Sequence, residues 1–312
     1  MSNELGLLEA IPYLRAYAGQ RFVLKIGGEL LEKPRALAAM VRDIAALHRL
    51  GIQLVVVHGG GPQLDQAASD LGVATERVAG RRITSPEVLD TAVMVWRGRL
   101  NTRLVTALLA EQESAVGLSG ADGRLVTANP RPPSVVTNDE GARVTVDFGR
   151  VGDVQAVDPT IVDALMECGS IPVISPLAVS PDASVLNVNA DTMAAELAVA
   201  IGAAKLVLMT SAPGILQDPE DPCSVIPFTD LAGLDQLEHE GCLKGGMRPK
   251  AAAIRRALQG GVARVHVLDG AMPQALLREV FTTDGAGTLV VVNERAAAPE
   301  VAFPVGHQAD SR

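Results

Sequence analysis

Hydrophobic residues recur along most of this chain with two alternating periods. Short apolar runs that end in glycine or polar residues are typical of buried strands. Longer segments with apolar residues three and four apart are typical of amphipathic helices. The predicted strands lie at 21–26, 53–57, 115–118, 171–174, 205–209, 264–268 and 288–292. The predicted helices lie at 7–18, 34–50, 62–71, 86–111, 158–169, 190–202, 249–260 and 273–282.

This alternation predicts an α/β fold in which helices cover both faces of a central, mostly parallel sheet. Residues 123–155 differ, because glycines and prolines separate very short segments there, and they predict β-hairpins that project from the sheet. We place a domain seam near 175–190, after Pro176. In parallel sheets, ligands bind beyond the carboxyl ends of the strands.

Composition limits the classes of function. The 312 residues are 48% hydrophobic and 20% charged, which supports one large domain or two lobes that share a sheet. A formal net charge of −9 and 3% aromatic residues argue against nucleic-acid binding. The sequence predicts no membrane span and no signal peptide. Three cysteines without a C-x-x-C pair predict reduced thiols and a cytoplasmic protein.

Two glycine-rich turns follow predicted strands and carry the first candidate chemistry. Lys25 is followed by Gly27 and Gly28, and His58 is followed by the glycines of 59–61. A lysine at the end of a buried strand needs an anion, and glycines allow backbone N–H groups to approach that anion closely. The two turns therefore predict one pocket for a polyphosphate and a small second ligand.

Two further clusters open predicted helices, namely 187–191 and 245–250. In phosphoryl transfer, Lys25 and Lys250 could supply charge to the transferred and leaving phosphates, with Asp191 between them to hold both in place. No general base accompanies these groups, which favours an acceptor that is already ionised at pH 7, such as a carboxylate.

Other interpretations of these clusters stay open at this point. The glycines after His58 could form an esterase oxyanion hole, but the chain has no G-x-S-x-G nucleophile elbow. A P-loop and a G-x-G-x-x-G motif are also absent from the sequence. Asn187 and Asn189 could cap a helix, and His58 beside glycines is more often structural than catalytic.

Together the motifs resemble the amino-acid-kinase family, and within it the members that phosphorylate N-acetyl-L-glutamate. The resemblance covers roughly residues 7–292. The matching motifs are K-x-G-G at 25–28, H-G-G-G-P-Q at 58–63, G-R-R-I-T at 80–84, G-L-S-G-A-D-G at 117–123, N-V-N-A-D at 187–191, P-G-I-L at 213–216 and G-M-R-P-K at 246–250. The resemblance implies an αβα sandwich, with an amino-acid-binding N-lobe at 21–180, an ATP-binding C-lobe at 181–295 and a flexible tail at 296–312.

The resemblance also implies transfer of the γ-phosphate of ATP to the side-chain carboxylate of N-acetyl-L-glutamate, a step of arginine biosynthesis. It implies catalytic roles for Lys25, Asp191 and Lys250, with Mg²⁺ held mainly by phosphates and water and no protein metal site. The implied ligands of the amino acid are Gly59, Gly60, Arg82 and Asn187. The implied ligands of the nucleotide are Gly27, Gly28, Thr210, Ser211, Gly214, Ile215, Leu216, Gly246 and Met247.

A regulatory site is implied as well. Arginine-inhibited members of the family carry an N-terminal helix that interlaces dimers into a hexamer, and residues 1–20 here match it. The implied arginine site comprises Tyr13, Gln274, Glu279 and Gly287. Gln274 replaces the usual histidine, and Arg278 is a cation where an apolar residue is common. The sequence leaves open whether arginine inhibits and whether the chain forms a homohexamer or a homodimer.

Two alternative functions also remain. One is a kinase for N-acetyl-aminoadipate or a carrier-linked aminoadipate, because one methylene changes binding by only about 1–3 kcal/mol. The other is a non-catalytic homologue that senses arginine. Retention of Lys25, Asp191 and Lys250 argues against the second alternative.

Overall fold

The computed structural model describes residues 7–137, 141–282 and 285–293. The predicted tail at 296–312 and the first six residues of the predicted oligomerisation segment lie outside the described residues. The strands are β1 (Arg21–Ile26), β2 (Gln53–His58), β3 (Glu76–Val78), β4 (Arg81–Ile83), β5 (Ala115–Ser119), β6 (Val126–Pro130), β7 (Ser134–Thr137), β8 (Arg143–Val146), β9 (Gly152–Val157), β10 (Ile171–Ser175), β11 (Leu177–Val179), β12 (Val185–Asn187), β13 (Lys205–Thr210), β14 (Phe228–Asp230), β15 (Arg264–Asp269) and β16 (Gly287–Val291). The helices are α1 (Leu7–Tyr17), α2 (Gly28–Leu31), α3 (Pro34–Arg49), α4 (Gly61–Asp70), α5 (Pro86–Ala92), α6 (Asn101–Ala110), α7 (Thr160–Glu167), α8 (Ala190–Ala200), α9 (Leu231–His239), α10 (Met247–Gln259) and α11 (Ala275–Phe281).

Within the described residues, eight strands form the central sheet in the order β14-β16-β15-β13-β1-β2-β10-β5. Every neighbouring pair is parallel except β15 and β16. The prediction of a mostly parallel sheet is therefore confirmed. Strand β1 lies between β2 and β13. Strands that come later in the chain therefore extend the sheet on both sides of β1. Such a switch in strand order opens a crevice at the carboxyl ends of the strands.

Alternate side chains of the central strands pack into two separate apolar layers. Val23 and Val55 face one layer, which also contains α8 and α10. Phe22 and Leu54 face the other layer, which contains α3 and α11. Because both faces of the sheet are buried, its strands are apolar at nearly every position. The predicted αβα arrangement follows from this double burial.

A smaller sheet and two hairpins project from this core. Strands β12, β11, β6 and β9 form a second sheet, and β7 pairs with β8 in an antiparallel hairpin. The prediction of β-hairpins within 123–155 is therefore confirmed for β7 and β8. The predicted seam near 175–190 falls on β11 and β12 of the second sheet, and the division into two lobes stays a prediction.

The helix predicted for 86–111 is continuous but not uniform. Between α5 and α6, residues Val93–Leu100 form a π-helix. The N–H of Asn101 reaches back five residues to the carbonyl of Trp96. Sequence periodicity predicted the helix but not this change of register, which decides where Trp96 and Asn101 point.

Helix α1 packs on its own chain through its carboxyl end. Tyr17 is 5% exposed, and its ring centroid lies 5.4 Å from that of Phe22 and 6.4 Å from that of Phe281. A role of this helix in oligomerisation stays a prediction. Among the helices that the structure describes, none is both long and apolar enough to cross a membrane.

Candidate active site

Three charged side chains meet at the carboxyl edge of β1. Lys25 lies near the end of β1, Asp191 in the first turn of α8, and Lys250 in the first turn of α10. The Nζ atom of Lys25 lies 2.9 Å from Oδ1 of Asp191, and Nζ of Lys250 lies 3.5 Å from Oδ2. The structure thus brings together the three residues that the sequence singles out for phosphoryl transfer.

Burial and mutual charge set the protonation of this trio. Burial by itself would raise the pKa of Asp191, but the two ammonium groups hold this pKa below its ordinary value. Burial and then the charge of Lys25 lower the pKa of Lys250, against the opposing charges of Asp191 and Glu29. With both lysines protonated, the trio carries one excess positive charge in a largely dehydrated place. An anionic ligand would compensate that charge.

The segment just before α8 contains two asparagines with different roles. The side chain of Asn189 accepts hydrogen bonds from the N–H groups of Asp191 and Thr192 at 2.9 and 3.0 Å, so it caps the helix. Asn187 instead donates to Oγ1 of Thr84 at 3.0 Å and lines a cavity. The cap therefore fixes the backbone that carries Asp191, while Asn187 is placed to meet a ligand.

The two glycine turns pack directly against each other. A Cβ atom on Gly28 would lie 2.9 Å from Cα of Gly60, so only glycine permits this approach. The Nε2 atom of Gln63 donates to the carbonyl of Gly28 at 2.6 Å and ties the turns together. His58 is fully buried, and burial lowers its pKa to about 4, so it is neutral at pH 7 and has a structural role.

Only some backbone donors of these turns are available. The N–H groups of Gly27 and Gly59 donate to carbonyls of β13 and β1 at 2.9 and 2.8 Å. In the described part of the chain, the N–H groups of Gly28, Gly60 and Gly61 donate to no protein acceptor. These three donors, which lie in residues that line a cavity, are free for a ligand.

The smaller of two adjoining cavities has a volume of about 250 Å³. The glycine turns, Arg82, Asn187, Lys25 and Asp191 line it. Arg82 forms an ion pair with Oδ1 of Asp65, and its Nη2 atom donates to the carbonyl of Gly61 at 3.1 Å. Arg77 forms an ion pair with the other oxygen of Asp65 at 2.9 Å. One carboxylate therefore aligns two guanidinium groups at this cavity, which suits a small acidic ligand.

The larger cavity has a volume of about 430 Å³. Lys250 lines it, together with six residues predicted to bind the nucleotide, namely Thr210, Ser211, Gly214, Leu216, Gly246 and Met247. Ile215 is fully buried, and its N–H donates to Oγ1 of Thr288 at 2.8 Å, so it lies behind the lining. Gly27 is also outside the lining of both cavities, and Gly28, likewise predicted to bind the nucleotide, lines only the smaller one. Glu29 lines both cavities, so they meet beside the trio.

The residues predicted for arginine line neither cavity. Oε1 of Glu279 lies 2.6 Å from Nδ1 of His266, and Oε2 accepts the N–H of Ala286 at 2.5 Å. Burial would raise the pKa of Glu279, but His266 and the Ala286 N–H hold it below its ordinary value. Gln274 adopts a left-handed conformation with φ 59° just before α11, and Gly287 begins β16. The ring centroid of Tyr13 lies 6.1 Å from that of Tyr17.

Sequence reasoning missed several residues of the site. Glu29 follows the K-x-G-G turn directly and is the only missed residue that lines both cavities. Arg77 lies in a hairpin of two three-residue strands, which is too short to predict from periodicity. Trp96, which lines the smaller cavity, was hidden in a helical pattern, although it is the chain's single tryptophan. Within the described ranges, no group of three His, Cys, Asp or Glu side chains could hold a metal ion.

Comparison with known proteins shows the family of this chain. The model of the amino acid kinase family matches residues 20–269. Acetylglutamate kinase from Myxococcus xanthus (strain DK1622) is 46% identical over 94% of this chain and 96% of its own. Acetylglutamate kinase from Methanothermobacter thermautotrophicus is 40% identical over 91% of this chain and 97% of its own.

Solved structures show the same architecture. An N-acetylglutamate synthase from Neisseria gonorrhoeae, complexed with coenzyme A and N-acetyl-glutamate, aligns with a TM-score of 0.77 and 29% identity over 91% of this chain. This chain covers 62% of that synthase, so the likeness extends to part of a longer protein. Carbamate kinase from Giardia lamblia bound to AMP-PNP aligns with a TM-score of 0.60 at 15% identity, a likeness of fold alone. On the family match and the nearly full-length relatives, this chain belongs to the amino acid kinase family.

Proposed function

We propose that this chain transfers the γ-phosphate of ATP to the side-chain carboxylate of N-acetyl-L-glutamate. A carboxylate oxygen of the acceptor attacks the γ-phosphorus, and the bond from that phosphorus to the β–γ bridging oxygen breaks. The products are an acyl phosphate and ADP, and the reaction belongs to arginine biosynthesis. The observation that carries the proposal is the pair of ammonium groups on one buried carboxylate where two cavities meet. The acetylglutamate kinases at 40–46% identity support this choice of acceptor.

The two cavities suit the two substrates. The larger cavity binds ATP and belongs to the proposed C-lobe. The smaller cavity binds the amino acid and belongs to the proposed N-lobe. Arg82 binds the α-carboxylate of the acceptor, because its planar guanidinium can donate two parallel hydrogen bonds, and Asn187 assists it. The acceptor's other carboxylate then points toward Lys25 and the free N–H groups of Gly60 and Gly61, and the free N–H of Gly28 is left for the nucleotide.

The trio performs the chemistry without a general base. Lys25 and Lys250 stabilise the negative charge that develops on the transferring phosphoryl group and the leaving phosphate. Asp191 orients both lysines and offsets part of the repulsion between them. The acceptor carboxylate needs no deprotonation, since its ordinary pKa of about 4.3 leaves it ionised at pH 7.

When bound with ATP, Mg²⁺ would neutralise part of the charge of the phosphates. The donor set around the cavities fits an ion held by phosphates and water, because Mg²⁺ keeps several waters and needs only one or two carboxylates. Glu29, which lines both cavities, is the carboxylate that would contact the hydrated ion. Asp191 is already used by the two lysines.

A hydroxamate trap tests the proposal directly. Folded protein with ATP, Mg²⁺ and N-acetyl-L-glutamate should give acyl hydroxamate, while Lys250→Ala should reduce turnover by orders of magnitude. Absence of product from folded wild-type protein would contradict the proposed activity. The same assay with N-acetyl-aminoadipate tests which acceptor length the enzyme prefers. A larger kcat/KM for that acid would show that it is the acceptor instead of N-acetyl-L-glutamate.

Regulation and assembly complete the proposal. L-Arginine binds near Glu279, Gln274, Gly287 and Tyr13 and inhibits the enzyme, and its cationic group competes with His266 and the Ala286 N–H for the carboxylate of Glu279. Helix α1 joins dimers into a homohexamer in the cytoplasm, with a homodimer as the alternative assembly. Activity measured with and without arginine tests the first statement. Light scattering after deletion of residues 1–18 tests the second, and an unchanged mass would reject the role of the helix.

A further inference from the structure

Trp96 connects the π-helix to the glycine turn of the smaller cavity. Its side chain lines that cavity but is almost fully buried, with 4% of its surface exposed. Its Nε1 atom donates to the carbonyl of Gly60 at 2.9 Å. A Cβ atom on Gly60 would lie only 2.5 Å from Cδ1 of this indole, so the ring packs closely against the turn.

The π-helix explains how the indole reaches this position. On a regular α-helix, residues five apart point in directions about 140° apart. Here the N–H of Asn101 bonds the carbonyl of Trp96 as well as that of Gly98, so the two residues point in more similar directions than they would on a regular helix. Trp96 then meets Gly60, while Nδ2 of Asn101 lies 3.3 Å from Nε2 of His58. Both residues thus hold the same turn.

The bond to Gly60 determines where a free donor points. In a trans peptide unit the carbonyl of one residue and the N–H of the next point in opposite directions. The Gly60 carbonyl also accepts the N–H of Leu64 at 3.0 Å, and this bond and the indole bond together fix the direction of the Gly61 N–H, which has no acceptor in the described part of the chain. Arg82 holds the next carbonyl, that of Gly61, at 3.1 Å. Side-chain donors thus fix both carbonyls of a turn whose N–H groups remain available to a ligand.

We propose that Trp96 is a positioning residue for the acceptor, and that it acts by holding the Gly60–Gly61 peptide in the orientation that binds the acceptor's reacting carboxylate. This inference rests on the proposed function. It assigns to the single tryptophan an effect on acceptor binding that the nucleotide does not share, because the indole lines only the smaller cavity.

The substitution Trp96→Phe keeps an aromatic ring but removes the indole N–H. We expect KM for N-acetyl-L-glutamate to rise by about tenfold, the effect of about one lost hydrogen bond, with KM for ATP changed by less than about twofold. Val95→Ala is the matched control, because Val95 is a buried neighbour on the same π-helix and lines neither cavity. It should lower the melting temperature without changing KM for the acceptor.

The wild-type protein supplies a second readout that does not depend on the variant folding. Because Trp96 is the sole tryptophan, its emission should change on titration with N-acetyl-L-glutamate in the absence of nucleotide. An active wild-type enzyme whose emission stays constant at saturating acceptor would overturn the inference. So would a folded Trp96→Phe enzyme with unchanged KM for the acceptor. A wild-type protein without activity on this acceptor would instead overturn the proposed function.

Discussion

The Nζ atom of Lys25 lies 2.9 Å from Oδ1 of Asp191, where β1 ends and α8 begins. The side chains are 7% and 8% exposed, so little water screens the pair. Lys250 approaches the other carboxylate oxygen from α10 at 3.5 Å. Asp191 is therefore the only carboxylate in the described residues that pairs with both lysines, and the arrangement of the proposed catalytic charges depends on it.

Asp191→Asn should reduce catalytic activity more than it reduces the stability of the fold. The variant keeps the shape of the side chain but leaves two buried ammonium groups without their anion. We expect kcat to fall by about 10²–10³-fold, as when one preorganised charge contact is lost, with a stability loss of at most about 3–5 kcal/mol. Steady-state kinetics and thermal melting measure both effects.

Glu196→Gln is the control for this variant. Glu196 also lies on α8, and it pairs with Arg256 in a more exposed place. Its replacement should cost about 1 kcal/mol or less and leave kcat unchanged. An Asp191→Asn enzyme with wild-type kcat would contradict the role of the trio.

Asp65→Asn should affect the amino acid but not the nucleotide. The variant removes the charge that aligns Arg77 and Arg82, and an amide cannot bind two guanidinium groups equally well. KM for N-acetyl-L-glutamate should rise by about tenfold, while KM for ATP stays within about twofold. Asp70→Asn on the same helix is the control, because the exposed side chain of Asp70 accepts a hydrogen bond from Gln66 and lines neither cavity. Equal increases in both KM values would refute this prediction.

Glu29→Gln should move the alkaline limit of activity to lower pH. The pKa of Lys250 already lies below the ordinary lysine value of 10.5, and the charge of Glu29 partly opposes that shift. As pH rises through this pKa, Lys250 loses its charge and kcat/KM for ATP should fall. Removing the Glu29 charge lowers the pKa further, so the fall should begin earlier. Glu32→Gln, an exposed neighbour, should leave the profile unchanged, and an unshifted Glu29→Gln profile would contradict the argument.

Asp43→Asn should stabilise the fold above neutral pH. Burial raises the pKa of Asp43 from 3.8 to about 6, despite the N–H of Leu276 and the charge of Arg42. The folded state therefore binds more protons than the unfolded state between these values, and stability falls as pH rises through this window. At pH 7.5 the gain from the variant should be at most about 3 kcal/mol, and it should vanish near pH 4.

Thermal melts of Asp43→Asn at several pH values test this expectation. The exposed Asp90→Asn change controls for a general effect of removing one acidic group. A gain that is the same at pH 4 and pH 7.5 would show that the titration of Asp43 is not its source.

Continuous apolar runs predicted the central strands, because a strand that is buried on both faces needs apolar side chains on both. Strands such as β1, β2 and β13 are apolar at most positions, and their bounds agree with the prediction to within one residue. The three-residue strand β14 was missed, since its only ladder partner in the sheet, β16, lies far away in sequence. Elements this short have too few residues to show a period, and pairing with distant strands stabilises them.

The amino-acid sequence by itself determined the α/β class, the two glycine turns and the identity of Lys25, Asp191 and Lys250, because residue type and local spacing are properties of short segments. Only the tertiary structure decided that the N–H of Gly59 is used by the sheet while those of Gly60 and Gly61 are free. It alone brought Trp96 to Gly60 through a π-helical turn. Hydrogen bonds between residues far apart in sequence depend on how the helices on both faces pack against the sheet, and no local pattern encodes that packing.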